Sequence, residues 1–151
     1  MILLSTAFEN FEAIPVKYTA EGEDLSPPLR WQDVPEGTRS LALICEDPDA
    51  PHDTWDHWLI YNIPPSIEVL AEGLKELPHE IQSCPNSWEK TEYGGPNPPS
   101  GQHRYFFTLY ALDTVLQFPE GATKTSLLKE IQNHLLAEAT LVGVYKRKKK
   151  D

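Results

Sequence analysis

Hydrophobic residues along the chain recur in short runs, most of which end at proline or at a charged loop. Residues 40–46 are apolar at both odd and even positions, which predicts a central strand covered on both faces. Residues 57–63 and 104–112 are rich in aromatic and β-branched side chains, which predicts two further strands. Shorter predicted strands cover residues 2–8, 16–19 and 142–146.

One amphipathic helix is predicted, from about Ser126 to Ala139. Thr125 or Ser126 can cap its N-terminus. Because many strands precede a single late helix, the pattern favours a β-sandwich or another β-rich fold over a doubly wound sheet. The predicted buried face of this helix consists of Leu127, Leu128, Ile131, Leu135 and Leu136, which recur at helical spacing.

Composition supports a mostly β domain. Of the 151 residues, 14 are proline, well above the average of roughly 5%. Proline disrupts helix interiors and central strands, so its abundance disfavours an all-helical bundle and makes a loop-rich β fold the leading class. The length suits one domain, which we place at residues 1–145, followed by a basic, frayed C-terminal tail at residues 146–151.

The formal net charge of −10 disfavours binding to nucleic acid, because an acidic body repels phosphate backbones. No apolar stretch approaches the 18 residues of a membrane span, and the N-terminus does not look like a signal peptide. Cys45 and Cys84 are the two cysteines, and so few thiols suit a reducing compartment. We therefore expect a cytoplasmic protein without a transmembrane segment.

A long loop follows the first central strand, at residues 47–56, and a histidine comes directly after it. Residues 47–57 contain four acidic residues and two histidines. One interpretation of this cluster is the metal site of a metal-assisted hydrolase, although the spacing of its residues fits no common metal site. The alternative is an acidic surface loop built on Asp-Pro turns.

A second proline-rich loop, residues 84–102, precedes the strand that begins near His103. Because side chains alternate along a strand, His103, Tyr105 and Phe107 should share one face. This arrangement fits a binding site beside the loop, or equally a partly buried histidine next to a core tyrosine. No nucleophile elbow, phosphate-binding loop or dinucleotide fingerprint is present in the sequence.

In four segments the chain resembles the phosphatidylethanolamine-binding proteins, and in particular their bacterial and archaeal Raf kinase inhibitor-like branch. The segments occur in family order, and together they extend the likeness over nearly the whole chain. They are SPPLRW at 26–31 with VPEGT at 34–38, DPDAP at 47–51, HWLIYNIP at 57–64, and YGGP at 93–96 leading to GQHRY at 101–105.

The resemblance implies an antiparallel β-sandwich of two sheets with a C-terminal helix alongside, and a small anion pocket at one end. It implies that the ligand is a phosphate, a phosphorylated head group or a small carboxylate, bound without catalysis, cofactor or metal. Several members of the family act as inhibitors or scaffolds for kinases or proteases, so a kinase or protease is a candidate partner, and a homodimer is a candidate oligomeric state. The implied ligand-binding residues are Asp47, His57, His103 and Tyr105, with Pro98 and Pro99 as a wall.

Elementary chemistry agrees with this assignment. Imidazole N–H groups and a tyrosine hydroxyl are donors for an anion, and Asp47 can accept from one imidazole and orient it.

Two positions of the sequence depart from the family pattern. Asn97 occupies a position that is often cysteine in the bacterial branch, and residues 85–88 follow the usual pattern only in part.

Overall fold

The computed structural model describes residues 1–148, which form nine strands, a short 3-10 helix and one α-helix. The predicted strands at 40–46, 57–63 and 104–112 are confirmed, each extended by one or two residues. The strands are β1 Ile2–Leu4, β2 Glu12–Ala13, β3 Leu29–Gln32, β4 Ser40–Asp47, β5 Trp55–Ile63, β6 Val69–Leu70, β7 Gln82–Ser83, β8 Gln102–Leu112 and β9 Leu135–Lys146, with the 3-10 helix at Val16–Tyr18 and α1 at Lys124–His134.

The strands form two sheets, as expected for a mostly β fold. A three-stranded sheet has the order β1-β3-β6, and a six-stranded sheet has the order β2-β9-β8-β4-β5-β7. The expectation of purely antiparallel sheets was wrong at one edge, where β2 pairs with β9 in parallel through Glu12 and Ala13. Most of the chain separates these two strands, so no tight turn forces them to run antiparallel.

Apolar side chains cover both faces of the large sheet. On one face, Leu43 and Phe107 join residues of the small sheet such as Trp31 in a shared core. On the other face, Ile44 belongs to a second cluster with Ile131 of α1. This two-sided burial confirms the interpretation of the apolar run in β4, since neither parity of that strand faces water.

The two cysteines are both free and buried, and they lie in different clusters. Cys45 belongs to the core shared by the two sheets, whereas Cys84 belongs to the cluster beneath α1. Burial raises the pKa of both thiols, which keeps them in the unreactive protonated form.

The helix prediction was wrong at both ends. Thr123 is the N-cap, because its side chain accepts from the backbone N–H of Ser126, and the Ser126 hydroxyl accepts from the backbone N–H of Thr123. This capping box starts the helix at Lys124, two residues earlier than predicted. Leu127 and Ile131 are buried as expected, but Leu128 is exposed.

The helix ends at His134 because the chain then pairs with β8. Leu135 has extended backbone angles and lies opposite Leu112, and Ala137 lies opposite Ala111. Leu136 is thus the extra residue of a β-bulge, and both Leu135 and Leu136 are exposed. Pairing with β8 thus outweighs the helical spacing of the leucines. In chain order, α1 comes between β8 and β9 and is not the C-terminal element that was expected.

Residues 16–19, predicted as a strand, instead contain the 3-10 helix. The backbone N–H of Tyr18 donates to Pro15 and that of Thr19 donates to Val16, both over 3.0 Å. Pro15 precedes the 3-10 helix with an extended backbone (φ −57°, ψ 145°), and the local i to i+3 bonds that follow satisfy this segment without a neighbouring strand. The predicted first strand at 2–8 is confirmed only over Ile2–Leu4.

The C-terminal part of the chain continues the large sheet to Lys146, one residue past the predicted domain end. The Lys148 backbone N–H donates to Glu21 over 2.7 Å. Residues 149–151 of the predicted tail lie outside the described residues. Within residues 1–148, no helix is long and apolar enough to cross a membrane.

Candidate anion-binding site

Strand order brings the predicted site residues to one end of the large sheet. Asp47 is the last residue of β4, and His103 and Tyr105 lie at the start of β8. Since β4 pairs antiparallel with β8, the end of one strand lies beside the start of the other. His57 lies near the start of β5, on the other side of β4. Antiparallel neighbours therefore collect residues from three separate segments.

A β-bulge directs His57 into this group. Cys45 of β4 pairs with Trp58, whereas the next residue of β4 pairs with Asp56, so His57 is an extra residue of β5. In an unbroken strand, His57 and Trp58 would lie on opposite faces of the sheet. Instead, Trp58 packs in the core between the sheets, and the His57 ring packs against Tyr105 of the same core. The bulge thus re-aims the imidazole.

The converging side chains surround a cavity of about 260 Å³. Every ligand-binding residue implied by the family resemblance lies in its wall: Asp47, His57, Pro98, Pro99, His103 and Tyr105. The wall also contains residues that the sequence reasoning did not assign to a site: Ala50, Pro51, Trp55, Trp88 and Asn97. Each of the two long loops contains one tryptophan, Trp55 or Trp88, and this was the sequence signal that could have predicted the aromatic part of the wall.

Asp47 and His103 form a buried pair. Asp47 Oδ2 accepts from His103 Nδ1 over 2.6 Å, and both side chains are almost fully buried. The other Asp47 oxygen, Oδ1, accepts from the Asp49 backbone N–H over 2.8 Å. The carboxylate thereby holds the imidazole in one orientation, and Nε2 is the ring nitrogen left for the cavity.

His57 is oriented by the backbone rather than by a carboxylate. Its Nδ1 lies 2.6 Å from the carbonyl oxygen of Gly94, so Nδ1 must carry the hydrogen and donate. The Gly94 N–H donates in return to the His57 carbonyl over 3.1 Å. Burial lowers the pKa of His57, an effect that the Gly94 hydrogen bond only partly opposes. In the free protein at neutral pH, His57 Nε2 is therefore an acceptor, whereas the sequence suggested a donor.

Tyr105 contributes a hydroxyl group to the cavity. Its ring is 1% exposed, and its hydroxyl has no hydrogen-bond partner within residues 1–148. The ring meets that of His57 edge-on, with 5.2 Å between centroids. Burial raises the pKa of Tyr105, so the hydroxyl remains protonated and is a donor. A buried hydroxyl without a partner costs free energy, which makes its position next to a cavity informative.

Two of the other three acidic residues of the 47–57 segment are bound to basic side chains. Both Asp49 oxygens accept from the Arg104 guanidinium over 2.9 Å, and these bonds lower the pKa of Asp49 to about 2. Asp56 binds Lys124, the first residue of α1, over 2.6 Å. Within residues 1–148, no three His, Cys, Asp or Glu side chains form a metal-ligating group.

Comparison with known proteins places this fold among characterised structures. The chain is similar to the crystal structure of the phosphatidylethanolamine-binding protein homologue CT736 from Chlamydia trachomatis, with a TM-score of 0.87, 42% identity and coverage of 99% of this chain and 97% of that one. It is also similar to Escherichia coli YbcL, described as a member of the mammalian phosphatidylethanolamine-binding protein family, with a TM-score of 0.90, 28% identity and coverage of 97% and 98%.

Sequence comparison leads to the same family. A UPF0098 protein of Methanothermobacter thermautotrophicus is 49% identical over 150 residues, covering 97% of this chain and 99% of the relative. The family model of the phosphatidylethanolamine-binding proteins matches residues 4–146. The chain belongs to the phosphatidylethanolamine-binding protein family, as the motifs in its sequence predicted.

Proposed function

We propose that this protein binds a small anion, such as a phosphate, a phosphorylated head group or a carboxylate, in the cavity between Asp47, His57, His103 and Tyr105. The observation that carries the proposal is the buried Tyr105 hydroxyl without a partner. A ligand oxygen that accepts from this hydroxyl would remove the cost of leaving it unpaired. Two imidazoles with fixed Nδ1 atoms line the same cavity and offer Nε2 as further contacts.

The size of the cavity supports a small ligand. Drug-sized ligands occupy pockets of roughly 300–1,000 Å³, and the present cavity measures about 260 Å³. A phosphoryl group with a short substituent fits this volume. The family name indicates that relatives bind a phosphorylated lipid head group, and the proposal extends that chemical class to this chain.

The same geometry supports binding rather than catalysis. Among the described residues that line the cavity there is no Ser, Thr, Cys or Lys, the side chains that most often act as nucleophiles. Asp47 is held by His103. The metal-assisted hydrolase would need at least three ligands together, but Asp49 and Asp56 of that segment are bound to basic side chains. The kinase or protease partner, the homodimer and the cytoplasmic location stay predictions from the sequence.

Replacing Tyr105 by phenylalanine tests the proposal directly. Binding of inorganic phosphate, measured by isothermal titration calorimetry, is expected to weaken by roughly 1.5–3 kcal/mol, the usual contribution of a hydrogen bond to a charged group. In the absence of ligand, the variant should be as stable as the wild type or more stable in thermal unfolding, because the unpaired hydroxyl is gone. Unchanged phosphate affinity in Tyr105→Phe would show that the hydroxyl does not contact the ligand, and phosphate binding to neither protein would overturn the proposal.

Binding should also strengthen as the pH falls. Nε2 of His57 can donate to an anion only when the ring is protonated, and burial lowers the pKa of that ring. Binding near neutral pH must therefore take up a proton, so affinity decreases as pH rises from 6 to 8, by up to about tenfold per pH unit for one proton. Sulfate is the appropriate probe, because it does not titrate in this range.

The matched control is His57→Gln, whose side chain does not titrate. Sulfate titrations of this variant should show a weaker dependence on pH than those of the wild type. A sulfate affinity that stays constant from pH 6 to 8 in the wild type would show that no histidine proton is linked to binding.

A further inference from the structure

Trp88 separates the candidate site from a second cavity. The second cavity measures about 230 Å³, and Asp24, Glu92 and Gly95 are among the residues of its wall. Trp88 and Asn97 line both cavities. These two side chains therefore form the partition between two spaces of similar size, and the indole is much the larger of the two.

A tight turn holds the Trp88 backbone in place. The backbone N–H of Trp88 donates to Asn86 Oδ1 over 2.9 Å, and that of Ser87 donates to the Asp56 carbonyl over 3.0 Å. The Asn86 side chain also donates to the Glu92 carbonyl over 2.8 Å, which ties both ends of the loop together. The turn is thereby fixed to β5 at the point where His57 enters the cavity.

The Trp88 ring rests directly on the backbone of Gly94. A Cβ atom added at Gly94 would lie only 2.4 Å from Cζ3 of the indole, so a side chain there would displace the ring. The ring also meets His57 edge-on with 5.0 Å between centroids. Trp88 is nevertheless 42% exposed. Its ring contacts are with His57 and Trp55 of the site, and it belongs to neither of the two core clusters.

From this placement we propose that Trp88 is a specificity-determining residue, which closes the anion site against the second cavity and restricts ligands to those with a small substituent on the anionic group. This inference rests on the proposed function. Without the indole, the second cavity opens to the first and provides about 230 Å³ for a bulkier substituent.

The affinities for inorganic phosphate and for phenyl phosphate, which carries a bulky substituent, test whether Trp88 forms this partition. In Trp88→Ala, the affinity for phenyl phosphate relative to phosphate should rise by about tenfold, since burial of a phenyl ring readily contributes 1.4 kcal/mol. The matched control is Trp55→Ala. Trp55 lines the first cavity and meets Trp88 edge-on at 5.5 Å, but it does not line the second cavity. Removing Trp55 widens the first cavity without opening it to the second, so this control should raise the ratio of the two affinities less than Trp88→Ala does.

A second variant, Trp88→Leu, shows whether an effect of Trp88→Ala comes from loss of the indole or from a change in the loop that only alanine causes. Calorimetric titration of both ligands into both Trp88 variants supports the inference when each raises the affinity ratio, and overturns it when neither does or when Trp55→Ala raises the ratio equally. Wild-type protein that binds phosphate, combined with an unchanged ratio in the Trp88 variants, refutes the role of Trp88 alone. Failure of the wild type to bind either probe refutes the anion site itself.

Discussion

Asp47→Ala is expected to lower the free energy of unfolding by roughly 3 kcal/mol and to reduce phosphate binding below detection. The substitution removes the acceptor of His103 Nδ1, 2.6 Å away, and leaves a buried imidazole without its partner. The His103 ring is then free to rotate, and Nε2 is no longer directed at the cavity. Urea unfolding gives the change in stability, and titration calorimetry gives the change in affinity.

Asp47→Asn is the matched control for this prediction. The asparagine side-chain oxygen still accepts from His103 Nδ1, so most of the lost stability should return, while the carboxylate charge that strengthens this hydrogen bond is absent. We therefore expect Asp47→Asn to be close to the wild type in unfolding but impaired in binding. Equal stability of the alanine variant and the wild type would show that the buried pair does not stabilise the fold.

Phe107→Ala should lower the free energy of unfolding by roughly 3–5 kcal/mol, the usual cost of removing a buried phenyl ring. Phe107 is fully buried between the two sheets, beside Cys45 of β4 and Leu141 of β9. It also follows His103 and Tyr105 on the same face of β8, so its loss loosens the strand that carries two site residues.

Phe106→Ala provides a control with the same chemical change one residue away. Phe106 lies on the opposite face of β8, is only partly buried and packs beneath the Arg104 guanidinium at 5.4 Å. Its removal should cost about 1 kcal/mol, the scale of an exposed cation–π contact and partial burial. Urea unfolding that gives the same loss for both variants would contradict the assignment of the two faces of β8.

The grouping of His103 with Tyr105 was predictable, because it depends on local geometry. Side chains in an extended segment alternate, and the buried and exposed positions of β8 follow the predicted pattern. The family motifs then indicated that Asp47 and His57 would join them. The contact between Asp47 and His103, which are far apart in the chain, needed the pairing of β4 with β8.

The orientation of His57 was not predictable from its own segment. The bulge that turns its ring towards Tyr105 arises from the register between β4 and β5 and leaves no local signal in the sequence. The role of Gly94 as acceptor for His57 depends in the same way on a loop 37 residues away. The direction of the pKa shift follows from burial, which is a property of the whole fold.

By itself, the sequence determined the family, the mostly β class and the principal strands, because motifs and side-chain alternation act over a few residues. Only the tertiary structure decided where α1 ends, since pairing of Leu135 with Leu112 outweighs the helical spacing of the leucines. It also decided the parallel edge of the large sheet and the position of Trp88 between two cavities. These features depend on contacts between distant segments, whose free energies exceed the small differences in local propensity.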